Sequence, residues 1–141
     1  MVRMATVLVD SSVLLDIATD DAQWCDWSGR KLWQARESSD IVINAMVYAE
    51  VAGAFWEIES VDRFLGDVDV RREDVPWAAA YVAGQTYKTY RKAGGARLTP
   101  LPDFFIAAHA ALCGYALLSR DGGYFRSYYP ALKLIHPDTH P

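Results

Sequence analysis

Thr6-Val7-Leu8-Val9-Asp10-Ser11-Ser12-Val13-Leu14-Leu15 is the stretch on which the reading of this chain turns. Its first four residues are apolar or β-branched and read as a short buried strand, of the kind common in parallel sheets. The run stops at a carboxylate. Two serines follow, and a second apolar run over 13–17 continues as a short helix, with Ser11 or Ser12 able to cap it. Strand, acid, then helix is the opening unit of an α/β domain. In such domains ligands bind outside the carboxyl ends of the strands, which is where Asp10 falls.

The same alternation extends along the chain. Residues 40–44, Asp-Ile-Val-Ile-Asn, read as a second strand, and residues 23–36, with Trp24, Trp27, Leu32 and Trp33, as an amphipathic helix. Residues 45–55 and 57–65 read as helical, and 68–70 as a short third strand. Pro76 suits the first position of a helix, with Glu73 and Asp74 placed to favour its positive end. That helix runs through Trp77, Tyr81, Val82, Tyr87 and Tyr90 to the Gly94-Gly95 pair. Residues 96–101 read as a loop. Pro102 opens an apolar helix to about Cys113, which Gly114 ends, and strands are expected at 115–118 and 133–135. Asp121-Gly122-Gly123 reads as a turn. The expected architecture is α/β, with a short, mostly parallel sheet flanked by helices. The expected organisation is a single domain over 1–136 and a loose tail over 137–141.

About half of the 141 residues are hydrophobic (52%), enough for a full core without staples. The two cysteines, Cys25 and Cys113, form no metal-ligand or disulfide spacing and read as buried free thiols. The first residues reach a charge at Asp10 too soon for a signal peptide, and no apolar run is long enough for a membrane span. A cytoplasmic protein is therefore expected. The formal net charge of −4 argues against a nucleic-acid partner on its own. It loses that force if several acids bind dications, which reverse the local field.

Asp10 is not alone. Glu50 follows Met46-Val47-Tyr48-Ala49, Asp103 precedes Phe104-Phe105-Ile106-Ala107-Ala108, and Asp121 follows Ala116-Leu117-Leu118-Ser119-Arg120. Each has an ordinary alternative. Asp10 could be an N-cap, Glu50 an exposed helical residue, Asp103 a helix-start anion, and Asp121 a turn aspartate. Four acids at the ends of apolar segments nevertheless suggest one shared site. Clustered carboxylates repel unless protons or cations neutralise them, and hard cations such as Mg²⁺ take oxygen ligands.

These residues resemble the PIN domain, in particular the compact VapC-type toxin nucleases of bacterial toxin–antitoxin pairs. The resemblance is carried by Val9-Asp10-Ser11-Ser12-Val13-Leu14-Leu15 and Tyr48-Ala49-Glu50-Val51 in the first half of the chain. In the second half it is carried by residues 102–110 (Pro-Asp-Phe-Phe-Ile-Ala-Ala-His-Ala) and 118–125 (Leu-Ser-Arg-Asp-Gly-Gly-Tyr-Phe). It implies a PIN-like three-layer sandwich, dependence on Mg²⁺ or Mn²⁺, and endoribonuclease activity. It also implies a homodimer and a cognate antitoxin that covers the groove. Asp10, Glu50, Asp103 and Asp121 match the family's four acidic positions. Ser12 matches a small polar residue that helps hold the first acid, and Ser119 the hydroxyl residue two before the last.

Phosphodiester hydrolysis suits these residue types independently. A metal lowers the pKa of bound water and neutralises phosphate oxygens. Asp10, Asp103 and Asp121 are therefore read as the primary metal-site residues, and Glu50 as a ligand through water or a positioner of the attacking water. Ser12 and Ser119 orient carboxylates. Arg120 either contacts phosphate or is a plain surface arginine. His109 reads as packed or surface, and Asp16 as a solvated helix residue. Trp24, Trp27 and Trp33 could include an exposed patch for a protein partner. The rival readings are a phosphoryl-transfer or receiver domain and a catalytically silent PIN-like module that binds RNA or protein. The first lacks a second Asp two residues after Asp10, where Ser12 stands, and the downstream lysine of a receiver.

Overall fold

The structure, a computed structural model, describes residues 5–94, 101–121 and 127–141. Among these, the chain alternates as β1 (Thr6–Val9), α1 (Ser11–Ala18), α2 (Cys25–Ser38), β2 (Asp40–Ile43), α3 (Ala45–Ala52) and α4 (Ile58–Asp67). It continues with β3 (Arg71–Arg72), α5 (Trp77–Lys92), α6 (Leu101–Cys113), β4 (Ala116–Leu118) and β5 (Lys133–Ile135). The strands form one five-stranded sheet in the order β3-β2-β1-β4-β5. Every pairing is parallel, so all strand C-termini lie along one edge. Strand order reverses at β1: the chain first builds outward through β2 and β3, then returns to the other side of β1 with β4 and β5. A crevice opens at such a reversal, between the carboxyl ends of β1 and β4.

The strands are buried because helices cover the sheet. Leu8, Val9, Val42, Ile43, Leu117 and Leu118 are fully enclosed, as expected for a parallel sheet with two covered faces. Helix α6 lies against α5, α3, β1 and β4, while α1 packs on α2 and α3. Phe104 on α6 anchors an aromatic cluster, with ring centroids 5.8 Å from Tyr87, 5.4 Å from Tyr90 and 5.7 Å from Tyr128. Offset and edge contacts of this kind add to area burial. Gly114 ends α6 with φ +71°, a left-handed turn into β4.

Several expectations are corrected. The third strand is Arg71–Arg72 rather than 68–70: Val68 is the C-cap of α4, and Asp69 turns the chain with φ 59°. Pro76 is the extended N-cap of α5 and not its first helical residue. Glu73 belongs to the edge of the sheet, its N–H donating to Ile43 O at 2.9 Å. Neither cysteine is buried: Cys25 is partly exposed and Cys113 exposed. Trp27 is in the core and Trp33 is exposed, so the patch expected of the three tryptophans does not form as a unit. The tail expected to be loose is tied down, with Trp27 Nε1 donating to His140 O at 2.8 Å and Thr139 Oγ1 to Leu134 O at 3.3 Å. Gly95, residues 96–100 of the loop expected over 96–101 and the glycines of the Asp121 turn lie outside the described residues, while Leu101, expected in that loop, is the first residue of α6.

Candidate metal-binding acidic site

Asp10 is the N-cap residue of α1, immediately after β1, but its carboxylate makes no cap. It is turned instead into the crevice between β1 and β4. Ser12 Oγ and Ser119 Oγ both donate to its Oδ2, at 2.8 and 2.9 Å. Its own N–H donates to Leu118 O at 2.8 Å, stitching β1 to β4 at this point. The serines expected as caps are thus committed elsewhere: both lie inside α1, and Ser11 Oγ donates to Glu50 Oε1 at 2.9 Å. One helical turn therefore holds two acids from different elements, through Ser11 toward α3 and through Ser12 toward β1.

Burial pushes the Asp10 carboxyl above its ordinary range, and the Asp121 charge pushes the same way against the serine hydrogen bonds. Glu50 is half-buried. Desolvation raises its carboxyl and the Asp10 charge adds to that, against the bond from Ser11. Asp10, Glu50 and Asp121 thus share one electrostatic neighbourhood at the switch point. Asp121 itself is exposed, with its N–H donating to Ser119 Oγ at 3.2 Å. Asp103 is half-buried in the first turn of α6.

Arg120 corrects two readings at once. Its Nε and Nη2 donate to Asp16 Oδ2 and Oδ1 at 3.0 and 2.7 Å, a two-pronged bond to a carboxylate that is 2% exposed. Asp16 is therefore a buried anchor and not a solvated residue. Ser28 Oγ donates to its Oδ2 at 2.7 Å, tying α1 to α2. Arg120 Nη1 also donates to Asp121 Oδ1 at 2.8 Å, and the guanidinium sits 5.6 Å from the Trp24 ring centroid. The arginine is not free on the surface. It joins the core of α1 to the last of the four acids.

Among the described residues, no three of the four acids bring ligand oxygens within 4.8 Å of one another. Mutual repulsion spreads such a set, and the Arg120 contact draws Asp121 toward Asp16. The trio that does meet this distance is Glu73, His109 and Cys113. Its hydrogen bonds argue against a metal. Asn44 caps α3, its Oδ1 accepting from Met46 N and Val47 N at 3.0 and 3.1 Å. That fixes its Nδ2 as the group facing His109 Nδ1 at 3.1 Å. Nδ1 must accept, so the imidazole proton sits on Nε2 and is donated to Glu73 Oε2 at 2.9 Å. A ligating histidine needs Nε2 free of its proton and an acceptor at the other nitrogen. Here the second nitrogen meets a donor. His109 is packed, as expected, and is fully buried.

Glu73, Asn44, Asp16 and Ser11 were the residues that pattern reading missed. Asn44 alone carried a usable signal, as a capping residue between a strand and a helix.

Comparison with known proteins gives the fold. No protein-family model matches the sequence, and no curated protein matches it. Solved structures do. The VapBC2 structure from Rickettsia felis, bound to a promoter DNA fragment, superposes with TM-score 0.70 at 15% identity, covering 93% of this chain and 98% of that one. VapBC-1 of nontypeable Haemophilus influenzae gives 0.68 at 18% identity, over 93% and 97%. VapC20 of Mycobacterium tuberculosis, a sarcin–ricin loop cleaving toxin, gives 0.62 at 15% identity, over 87% and 95%. The chain has a PIN-like fold. The expected sandwich of helices around a parallel sheet is what the structure contains, and Asp10 stands at its β1–β4 switch point. No helix among the described residues is long and apolar enough to cross a membrane.

Proposed function

We propose that this protein is a metal-dependent endoribonuclease, the toxin of a VapBC-type pair, acting from a single PIN-like domain over residues 1–136. The observation that carries the reading is Asp10: a buried carboxylate at the switch point of the sheet, held on one oxygen by Ser12 and Ser119, with Glu50 and Asp121 in its field. A structural aspartate in the interior would be neutralised by a basic partner, as Asp16 is by Arg120. Asp10 has hydroxyls and further acids instead. Such a set fits a hard dication, which would be held by Asp10, Asp103 and Asp121, with Glu50 a ligand through water or a positioner of the attacking water. Mg²⁺ or Mn²⁺, when bound, would supply an acidified water and neutralise phosphate charge. The protein's own part is to orient Asp10 through two hydroxyls, to keep Glu50 on Ser11, and to set Asp121 by the Ser119 hydroxyl at its N–H. The same reading carries a cytoplasmic location, a homodimer and a cognate antitoxin that blocks the crevice.

Incubation with structured RNA, with and without Mn²⁺, tests this. Cleavage is expected only with the metal and only with Asp10 and Asp121 intact. Metal-independent cleavage, or full activity in Asp10→Asn, would overturn it. One contact favours a second reading, a catalytically silent binding module: Arg120 Nη1 already pairs with Asp121. Absence of Mn²⁺ binding in calorimetry, with no cleavage, would select that reading.

A further inference from the structure

Helix α5 carries a surface that the acidic site does not use. Its sequence, Trp77-Ala-Ala-Ala-Tyr81-Val-Ala-Gly84-Gln-Thr-Tyr87-Lys88-Thr-Tyr90-Arg91-Lys92, contains no acid in a chain of net charge −4. Trp77, Tyr81, Gly84, Lys88 and Lys92 recur at intervals of three and four, so they share one face of the helix. That face points outward: Trp77 is 90% and Tyr81 69% exposed. Large aromatics so placed contribute nothing to the core. Beyond them Gly84, Tyr87, Lys88, Arg91 and Lys92 line a groove of about 420 Å³. The Arg91 guanidinium lies 5.9 Å from the Tyr87 ring centroid. None of the three cations has an ion pair among the described residues.

The groove is coupled to the acids by packing. Tyr87, which lines it, meets the Phe104 ring edge-on at 5.8 Å, and Phe104 directly follows Asp103 in the first turn of α6. We propose that this face of α5 binds single-stranded RNA: Lys88, Arg91 and Lys92 hold the phosphate backbone, while Trp77 and Tyr81 stack bases. The inference rests on the nuclease reading for its direction, since Tyr87 in the groove packs on Phe104, the sequence neighbour of Asp103. Aromatics that take any base, beside cations that track phosphates, are the elements of sequence-tolerant single-strand binding. Two exposed aromatics and three cations without an ion pair among the described residues, on one acid-free helix, fit a polyanion with flat bases better than they fit an apolar partner helix.

Fluorescence anisotropy with a fluorescein-labelled unstructured 12-nucleotide RNA, in EDTA so that no cleavage occurs, tests this directly. The triple variant K88Q/R91Q/K92Q is expected to bind at least about tenfold more weakly. The slope of log affinity against log salt should fall by about 2, at ~0.7 per phosphate contact on single strands. The pair W77A/Y81A is expected to lose about tenfold with the slope unchanged, because stacking releases few counterions. All the substituted side chains of these variants are exposed, and circular dichroism checks that the helix survives. Wild-type affinity and slope in the triple variant, or no RNA binding by the parent protein, overturns the proposal. The two readings fail separately. RNA binding through α5 without Mn²⁺-dependent cleavage leaves the groove standing and removes the nuclease; cleavage with binding indifferent to α5 does the reverse.

Discussion

The carboxyl edge of the sheet carries two buried polar regions that solve the same problem in opposite ways. Beside β2 and β3, Glu73 receives bonds from His109 Nε2 and from Tyr115 Oη at 2.9 Å and from Arg71 Nη2 at 3.2 Å. Burial pushes its carboxyl up, but these bonds outweigh burial and hold it below the ordinary range. The cost falls on Tyr115, whose hydroxyl is pushed up to about 12 by desolvation and by the Glu73 carboxylate. Beside β1 and β4, the donors to Asp10 and Glu50 among the described residues are serines, further acids lie in their field, and both carboxyls are pushed up. The first region is complete as it stands. The second favours an added proton or cation, because burial and neighbouring acids oppose its charges, and the proposed reading of it as a site rests on that difference.

The sharpest way to break this comparison is to neutralise one acid in each region. Asp10→Asn keeps the shape and can still accept from Ser12 and Ser119, so metal-free Asp10→Asn is expected to melt at a higher temperature than the parent. RNA cleavage in Mn²⁺ should fall on the order of 10³-fold, the scale seen when a preorganised group facing developing charge is removed. Glu73→Gln should do the opposite, leaving metal-dependent cleavage within a few-fold while losing about 1–3 kcal/mol of stability as His109 and Tyr115 lose a charged acceptor. Paired thermal melts and cleavage assays read both. Loss of activity in Glu73→Gln without loss of stability would contradict the division.

Next in size is the strap between the regions of α1. Removing one partner of a buried pair costs about 3–5 kcal/mol, because the other charge stays behind. Arg120→Met is therefore expected to be strongly destabilised in urea unfolding, and Asp16→Asn in the same chain to recover most of the loss. No recovery in the double variant would mean that Arg120 acts through Asp121 and not through Asp16. The hydroxyls come after that. Ser12→Ala and Ser119→Ala should each cost about 10–100-fold in Mn²⁺ affinity or activity, the usual penalty for losing a group that orients a ligand. Calorimetric titration with Mn²⁺ separates this from a folding defect.

Sequence reading reached the fold because its elements are written locally, and it singled out the four acids on the same local signals. Strand β1 is a run of apolar residues ended by a carboxylate, and Asp103 lies in the first turn of a helix, one residue before Phe104. What it missed is written across the chain. Asp16 and Arg120 are separated by 104 positions, and Asp16 occurs on a helix whose period does not tell a buried acid from a solvated one. Only the return of β4 beside β1 brings the arginine to it. Glu73 failed for a related reason: next to Asp74 and Pro76 it satisfies the rule for a helix start, and it is the pairing of β3 with β2 that carries it to His109. Ser11 and Ser12 satisfied the capping rule equally well, and lost that role because the helix starts at Ser11, so both lie inside its first turn and Asp10 takes the cap position.

The smallest expected effect is also the most specific, because the two regions must respond to pH with opposite signs. Asp10 and Glu50 have folded carboxyls raised above their unfolded values. Their contribution favours the metal-free fold at low pH and is lost as pH rises through the folded pKa values. Glu73 has a lowered carboxyl, so its contribution is present above the unfolded value and is lost as pH falls through the folded one. Metal reverses the first trend alone, since a cation binds the deprotonated acids and adds stability as they ionise. Melting temperature measured from pH 3 to pH 8, with EDTA and then with Mn²⁺, should therefore show a gain from Mn²⁺ that grows with pH. In Glu73→Gln that gain should persist while the acid side of the EDTA curve flattens; in Asp10→Asn the gain should vanish while the acid side remains. A Mn²⁺ gain that is constant across pH, or that survives in Asp10→Asn, would place the cation somewhere other than the switch point of the sheet.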